Sequence, residues 1–216
     1  MPAARLRVLT HVTGLIPPSP DGDCVLVGID GGDGAGKTIF ANDLAALAAV
    51  TSRPTVRISL DDFHNPRAIR YRQGRSSPTG FYQDSFNYKA FLDHVLTPCG
   101  PGGSRRYRPR AHDLTTDEVL DEPEQCAAPG TIIIVDGLFL HRAELREHWD
   151  FTVFLDVAFE ITAQRMAQRD GSHPDPFHPS MARYTEAQLL YRAECDPARR
   201  ASLVIDNSDP AAPLLR

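Results

Sequence analysis

A glycine-rich segment that contains one lysine and one threonine is the strongest chemical feature of this sequence. It runs from Gly31 to Thr38 and fits the spacing G-x-x-x-x-G-K-[ST], with Gly36 and Lys37 at the other fixed positions. Glycines let the backbone curl until successive N–H groups point into one concavity, which suits phosphate oxygens. A lysine at this position supplies positive charge for the β- and γ-phosphates, and the threonine offers a hydroxyl to Mg²⁺. The segment therefore predicts binding of a nucleoside triphosphate such as ATP.

The flanking residues supply the structural context that such a motif needs. Val25–Ile29 is an apolar, β-branched run that predicts a strand leading into the loop. After Thr38, the residues Phe40, Leu44 and Leu47 recur at helical spacing, so the loop leads to a helix N-terminus whose dipole attracts anions. This strand–loop–helix order argues against a glycine-rich turn that matches by chance. The predicted nucleotide-binding residues are Gly31, Gly32, Asp33, Gly34, Ala35, Gly36, Lys37 and Thr38.

Acidic residues follow two further predicted strands. The run Thr55–Leu60 ends at Asp61 and Asp62, and the run Thr131–Val135 ends at Asp136. Ligands bind at the carboxyl edge of a parallel sheet, so we expect these carboxylates to meet there. Asp136 is predicted to hold Mg²⁺, with a strand-ending Asp-Gly turn as the alternative. Asp61 is predicted to take a proton from an attacking hydroxyl, while Asp62 would cap the next segment.

Two arginines one helical turn apart are candidates for stabilising a transferring phosphoryl group. Arg165 and Arg169 lie on one face of a predicted helix, Phe159–Arg169, that precedes the proline-rich segment Gly171–Pro179. Guanidinium groups suit the charge that spreads over phosphoryl oxygens during transfer. A solvated face of an amphipathic helix is the alternative interpretation of the same pair. The metal ligands predicted at this edge are Thr38, Asp136 and Asp61.

Composition excludes several other classes of protein. The chain has 216 residues, which suits one sizeable α/β domain, and its net charge of −5 gives no support for general nucleic-acid binding. The four cysteines show no metal-binding spacing and are typical of buried thiols in a reducing cytosol. No secretory signal and no apolar run long enough to span a bilayer are present, so we expect a cytoplasmic protein without a membrane partner.

Predicted strands alternate with predicted helices, which favours a doubly wound parallel sheet with helices on both faces. Residues 1–20 are expected to form an N-terminal arm whose helix places Leu6, Leu9, Val12 and Leu15 on one face and ends at Pro17, Pro18 and Pro20. That arm packs on the core or forms an oligomer contact, and the sequence leaves both open. Residues 65–80 are expected to form a polar loop that contains Arg67, Arg70, Arg72 and Arg75, and that is either a solvated connection or a flap over anionic phosphates. Residues 86–96 are expected to form a helix that the segment 98–103 breaks.

Three motifs together resemble a known group of enzymes. They are G-I-D-G-G-D-G-A-G-K-T, S-L-D-D-F-H and V-D-G-L-F-L, and they resemble the uridine kinase group of P-loop kinases in the same order. That group also includes pantothenate kinases, nicotinamide riboside kinases and phosphoribulokinase. The likeness extends from Cys24 to Asp206 and implies the P-loop NTPase fold for residues 21–216. It also implies a catalytic base at Asp61, a strand-end acid at Asp136, and lid arginines at Arg165 and Arg169, with a lid at about residues 170–183.

The resemblance also implies a substrate region, although this sequence departs from the group there. Uridine–cytidine kinases hold the base with a tyrosine and a histidine on a hairpin, and the segment at about 104–122 has Tyr107 and His112 at that spacing. The tyrosine of the D-x-F-Y motif is replaced by His64. The ribose-binding aspartate aligns with Asn87, or with Asp84 if the gap is placed differently.

The resulting expectation is an ATP- and Mg²⁺-dependent kinase that acts on the 5′-OH of uridine or cytidine. Guanine recognition of the GTPase kind has no support, because the sequence contains no N-K-x-D tetrapeptide. Two alternatives stay open at this stage. One is a kinase for another small alcohol, such as pantothenate, nicotinamide riboside or a sugar phosphate. The other is a P-loop protein that binds ATP without transferring phosphate, although such a protein needs no base beside the γ-phosphate.

Overall fold

The computed structural model describes residues 1–19, 21–50 and 53–216. The strands in this part of the chain are β1 (Val25–Gly31), β2 (Thr55–Ser59), β3 (Arg106–Tyr107), β4 (His112–Asp113), β5 (Glu118–Val119), β6 (Gln125–Cys126), β7 (Ile132–Asp136), β8 (Phe151–Asp156), β9 (Leu203–Asp206) and β10 (Leu214–Leu215). The α-helices are α1 (Ala3–Leu15), α2 (Lys37–Val50), α3 (Arg67–Arg70), α4 (Pro78–Asp84), α5 (Tyr88–Phe91), α6 (Thr97–Cys99), α7 (Phe159–Asp170), α8 (Ala182–Cys195) and α9 (Pro197–Arg200).

Six strands form one sheet in the order β10-β9-β8-β1-β7-β2. The pairs from β9 to β2 are parallel, and only the short β10 runs antiparallel to its neighbour β9. In register, Asp136 pairs with Ile29 on one side and with Ser59 on the other. The carboxyl ends of β1, β7 and β2 therefore lie side by side, which confirms the predicted doubly wound parallel sheet.

Helices cover both faces of this sheet and close two hydrophobic layers. On one face α1 and α2 bury Leu9 and Phe40 against β1, β7 and β8. On the other face an aromatic layer packs in edge-to-face contacts, with the Phe139 ring centroid 5.2 Å from Tyr82 and 5.1 Å from Tyr191. Because β1 and β7 are buried along their whole length on both faces, they read as continuous apolar runs in the sequence.

The N-terminal arm packs on the core through α1, although not with the predicted face. Leu6 and Leu15, which were placed on one face with Leu9 and Val12, are 42% and 44% exposed. The buried stripe is instead formed by Arg5, Val8, Leu9, Val12 and Ile16, which follow the i, i+3, i+4 spacing more closely. Arg5 lies in this stripe because its guanidinium pairs with Asp43 of α2 at 2.7 Å. Pro20, which was expected to help end this helix, lies outside the described residues.

Residues 65–80 contain more helix than the expected loop. The helix α3 spans Arg67–Arg70, and α4 begins at Pro78. The Ser77 hydroxyl accepts a hydrogen bond from the Gly80 N–H at 3.0 Å, and proline occupies the first helical position. Serine followed by proline is a helix-start signal, because the hydroxyl satisfies a free N–H and proline needs no acceptor there. The segment was predicted to be a loop because of its polar, arginine-rich composition, and this helix-start signal was overlooked.

The helix predicted over residues 86–96 starts later and ends later than expected. It begins at Tyr88, where the side-chain Oδ1 of Asn87 accepts from the Ala90 N–H at 3.0 Å. It then widens into a π-helical turn, Leu92–Leu96, and continues through Pro98 into α6. Proline cannot donate to the carbonyl four residues earlier, and here that carbonyl, of His94, accepts from the Arg108 N–H at 3.0 Å. The helix ends at Cys99, within the segment 98–103 that was predicted to break it, although Pro98 itself lies inside the helix.

The hairpin predicted at about residues 104–122 is present and is extended by a second ladder. Strands β4 and β5 pair antiparallel, and the turn between them is closed by the Asp117 N–H donating to the Asp113 carbonyl at 2.8 Å. Strands β3 and β6 pair outside this hairpin. Among the described residues, no helix has the length and apolar character needed to cross a bilayer.

Candidate active site

The glycine-rich loop lies at the carboxyl end of β1 and turns directly into α2. Gly34 and Gly36 have φ values of 77° and 89°, in the left-handed region that favours glycine. A Cβ atom on Gly34 would stand 2.6 Å from the Thr162 carbonyl oxygen, so helix α7 leaves no space for a side chain there. Lys37 donates from Nζ to the Gly32 carbonyl at 2.9 Å, which holds the amine across the mouth of the loop. The loop thus offers backbone N–H groups and one amine to an anion.

Thr38 and Asp136 meet where the loop faces the end of β7. The Thr38 hydroxyl donates to Asp136 Oδ2 at 2.6 Å. Arg57, on the neighbouring strand β2, donates to Asp136 Oδ1 at 2.6 Å. The Asp136 side chain is almost fully buried, so both of its oxygens have a fixed direction. The structure therefore brings two of the three predicted metal ligands into contact, and the third, Asp61, lines the same cavity.

The donor atoms at this corner fit Mg²⁺. A hydroxyl and a carboxylate are hard oxygen ligands, and Mg²⁺ in nucleotide sites usually keeps several waters and takes the rest of its ligands from phosphates. Within the described residues, no cluster of three or more His, Cys, Asp or Glu side chains forms a metal site without such help. A magnesium ion held by Thr38 and Asp136 would thus depend on a bound nucleotide to complete its coordination.

Asp61 faces the same cavity from a short 3₁₀ turn, Leu60–Phe63, that follows β2. The turn is fixed at its start because the Asp61 N–H donates to the Ser59 hydroxyl at 3.3 Å. Water in the cavity reaches the carboxylate, but the surrounding protein displaces much of its hydration and raises its pKa to about 6. Nearby Lys37 opposes that rise, whereas the carboxylates of Asp136 and Asp33 add to it. Asp61 is therefore a carboxylate whose pKa lies close to neutral pH.

Asp62 points to a different environment. Its carboxylate pairs with Arg110 at 3.0 Å, and its carbonyl oxygen accepts from the Ala111 N–H. These contacts tie the turn after β2 to the hairpin, so the Asp62 carboxylate pairs with Arg110 and does not cap the following segment as predicted. Of the two adjacent aspartates, only Asp61 lines the cavity, so the geometry supports Asp61 as the proton acceptor.

Arg165 and Arg169 both line the cavity from α7, but they differ in their partners. Arg165 donates to the backbone carbonyls of Asn207 and Ser208, each at 2.9 Å, and pairs with no carboxylate among the described side chains. Arg169 pairs with Asp170 at 2.7 Å and lies 3.8 Å from Asp33 in the loop. Arg165 is thus held by backbone carbonyls, whereas Arg169 lies beside two carboxylates.

The five predicted substrate residues separate into two groups. His64 lines the cavity, where its ring lies 4.5 Å from that of Phe86, and burial lowers its pKa to about 4. The other four do not line it. Their side chains serve the surrounding structure: Asp84 pairs with Arg72, Asn87 caps α5, Tyr107 is buried and bonds Gln125, and His112 is buried 3.2 Å from Asp117.

Two residues that contact the phosphate loop were not singled out from the sequence. Asn207, at the end of β9, donates to the Ala35 carbonyl at 2.7 Å and lies against Gly36. Gln188 of α8 accepts from the Asp33 N–H at 3.1 Å. Tertiary packing brings these two residues to the loop from distant parts of the sequence, so no local sequence pattern indicates them. The arginines of residues 65–80 were noted, but the cluster that they form with Arg183 was not.

Behind the loop lies a buried polar network centred on Asp30. This carboxylate has no exposed surface and accepts from the Gly31 N–H at 2.7 Å. Its other oxygen takes the Tyr191 hydroxyl and lies 2.7 Å from His141 Nδ1. The network joins β1, the segment after β7 and helix α8 directly beneath the phosphate loop.

Comparison with known proteins agrees with this geometry. A sequence model described as the phosphoribulokinase / uridine kinase family matches residues 26–173. The chain belongs to this family. It is 30% identical over 149 residues to a phosphoribulokinase from Synechocystis, a match that covers 68% of this chain but only 42% of that relative. It is 23% identical over 154 residues to a uridine kinase from Leuconostoc citreum, covering 68% of each.

Solved structures show the same fold as this member of the family. A structure described as a possible uridine kinase from Bacillus stearothermophilus superposes with a TM-score of 0.71 at 22% identity, covering 92% of this chain and 98% of that one. A structure described as a candidate fructose transport system kinase from Silicibacter superposes with a TM-score of 0.67 at 20% identity, covering 86% and 94%. Both activities named for the family, those of phosphoribulokinase and uridine kinase, are kinase activities.

Proposed function

We propose that this protein transfers the γ-phosphoryl group of ATP to a hydroxyl of a small molecule, with Asp61 as the proton acceptor. The observation that carries the proposal is the shared cavity of about 1160 Å³ in which Lys37, Thr38, Asp136 and Asp61 all take part. A nucleotide-binding protein without chemistry needs the first three, but it has no use for a carboxylate of raised pKa opposite the phosphate loop.

Each residue of the site would have a separate role in the reaction. Lys37 and the N–H groups of the loop would bind the β- and γ-phosphates and hold them in line with the acceptor. Thr38 and Asp136 would hold Mg²⁺, which neutralises phosphate charge when it is bound. Arg165 and Arg169 would stabilise negative charge as it develops on the transferring group. Asp61 would accept the proton from the attacking hydroxyl.

The finer proposal, from the resemblance, is that the acceptor is the 5′-OH of uridine or cytidine. His64 and Phe86 offer a ring pair at the cavity wall that suits a planar base. Tyr107 and His112, which the resemblance assigns to the base, lie outside the cavity lining in this structure. The nucleoside therefore stays a prediction that rests on the sequence, while the alcohol kinase rests on the site as well.

A test of the proposed function is ADP release that depends on an added acceptor, screened over nucleosides, ribosides, pantothenate and sugar phosphates. The matched control is Lys37→Ala, whose side chain contacts the loop and not the core, so it should retain the wild-type melting temperature and lose turnover. Turnover that survives in folded Lys37→Ala would refute the assignment of the phosphate site.

A further inference from the structure

A cluster of arginines lines the cavity on segments that contribute nothing to the phosphate loop. The cluster consists of Arg67 and Arg70 in α3, Arg75 in the segment after α3, and Arg183 at the start of α8. Three of these arginines surround one aromatic ring, that of Tyr71. The guanidinium carbons of Arg70, Arg75 and Arg183 lie 5.2, 5.0 and 4.9 Å from its centroid.

Not all of these charges are neutralised within the protein. Arg70 is buried and pairs with Asp117 at 3.2 Å, so its charge is balanced. Arg75 and Arg183 have no carboxylate partner among the described residues, and the Arg183 Nη1 instead donates to the Arg75 carbonyl. The Arg183 Nε is buried without any hydrogen-bond partner in the part of the chain described. A buried guanidinium N–H that lacks an acceptor costs free energy unless a ligand supplies one.

The charged residues around the whole cavity also favour an anionic ligand. The charged residues that line it are eight cations and three carboxylates: Arg5, Lys37, Arg67, Arg70, Arg75, Arg165, Arg169 and Arg183 against Asp33, Asp61 and Asp136. The chain as a whole has a net charge of −5, so positive charge is concentrated in this cavity against the overall balance. The nucleotide phosphates would engage Lys37, Arg165 and Arg169. The arginine cluster is left over for another anion.

The aromatic walls near the cluster are already covered by guanidinium groups. Arg183 stacks within 5.0 Å of the Phe81 centroid and within 5.9 Å of the Tyr184 centroid, in addition to its contact with Tyr71. Stacking fixes the guanidinium and leaves its edge free for an anion. It also takes up aromatic faces on which a nucleobase would otherwise stack. The cluster is thus built for a charged group and not for a planar neutral one.

We propose that the acceptor is not the neutral nucleoside suggested by the resemblance but a small hydroxy compound that carries an anionic group, a phosphate ester or a carboxylate. Arg183 and Arg75 bind this group while the hydroxyl faces Asp61. The inference rests on the proposed function, since it names the acceptor of that same reaction. Arginine binds both anions through paired N–H donors, so the structure defines the shared chemistry and the experiment separates the two sources.

The first arm of the test measures anion binding without turnover. The enzyme is loaded with Mg²⁺ and a non-hydrolysable ATP analogue, which fills the phosphate loop, and inorganic phosphate is then titrated while the melting temperature is followed. Phosphate should raise the melting temperature of wild type but not of Arg183→Gln or Arg75→Gln. Arg146→Gln is the matched control, because Arg146 is exposed, lies outside the cavity lining and pairs only with Glu147.

The second arm compares acceptors that differ only in the anionic group. Ribose is paired with ribose 5-phosphate, and glycerol with glycerate, in an assay of ADP release. The anionic member should be preferred, and Arg183→Gln should raise its KM by roughly 10- to 100-fold with little change in the KM for ATP, as expected for loss of a charged hydrogen bond. Preference for the phosphate pair or for the carboxylate pair identifies the source of the anion.

The outcomes distinguish the two proposals. If the ATP analogue stabilises the protein and a neutral acceptor such as uridine is used as well as any anionic one, the kinase stands and the anionic acceptor is refuted. Phosphate that stabilises Arg183→Gln and Arg75→Gln as much as wild type also refutes it. An analogue that fails to stabilise the wild-type protein at all refutes the proposed function itself, and the inference with it.

Discussion

Replacement of Asp61 by asparagine tests the centre of the mechanism, because it keeps the shape of the side chain and removes the proton acceptor. Loss of a general base typically slows a reaction by about 10²- to 10⁴-fold, and we expect this loss in kcat with the acceptor. ATP affinity should be close to that of wild type, since Asp61 lies opposite the phosphate loop and not within it. Asp62→Asn is the matched control, because that carboxylate pairs with Arg110 and does not line the cavity.

The raised pKa of Asp61 gives this prediction a second, independent readout. The base works only when it is ionised, so kcat/KM should fall as the pH drops below about 6. At about pH 5 roughly one tenth of the carboxylate is ionised, which predicts a loss of about tenfold relative to neutral pH. Asp61→Asn should lack this acidic limb and retain a slow, flat profile. An identical acidic limb in the variant would show that another group titrates.

The ionisation of Asp61, which activity requires, should lower the stability of the folded protein. The fold raises the pKa of Asp61 above its unfolded value of 3.8, so it penalises the ionised form. That penalty is fully present above about pH 6 and disappears as the pH falls below about 4. Asp61→Asn should therefore melt at or above the wild-type temperature at neutral pH, with the difference closing in acid. A clear loss of melting temperature at neutral pH would refute the view that Asp61 sits in an environment unfavourable to its charge.

Two further predictions concern the metal corner and the buried network. Thr38→Ala should raise the Mg²⁺ concentration needed for half-maximal activity by about tenfold or more, whereas Thr38→Ser should behave as wild type; equal Mg²⁺ dependence of all three would remove the hydroxyl from the metal site. Asp30→Asn should lower the free energy of unfolding, measured by urea titration, by on the order of 3 kcal/mol, because it disrupts buried contacts to Tyr191 and His141. Tyr191→Phe should cost less, about 1 kcal/mol, and an unchanged stability of Asp30→Asn would contradict the structural role of the network.

Local sequence determined the parts of this protein whose chemistry is carried by neighbouring residues. The phosphate loop could be read from the sequence because its function requires glycine, lysine and threonine at fixed spacing between a strand and a helix. The central strands could be read because both faces of a parallel sheet are buried, which forces continuous apolar runs such as Ile132–Val135. The strand-end position of Asp136 follows from the same rule.

Tertiary structure decided what depends on contacts between distant segments. Pro98 lies inside a helix because the His94 carbonyl that it leaves free is satisfied by the Arg108 N–H, a contact that no local pattern could show. Tyr107 and His112 have the spacing of a base-binding pair, yet the hairpin packs both side chains away from the cavity. Arg183 is more than a hundred residues from Tyr71 and Arg75, and only the packing of α8 beside α4 brings it to them. The residues that bind the nucleotide are close together in the sequence, whereas the residues at the acceptor end are brought together by tertiary packing. For that reason the sequence alone left the acceptor open.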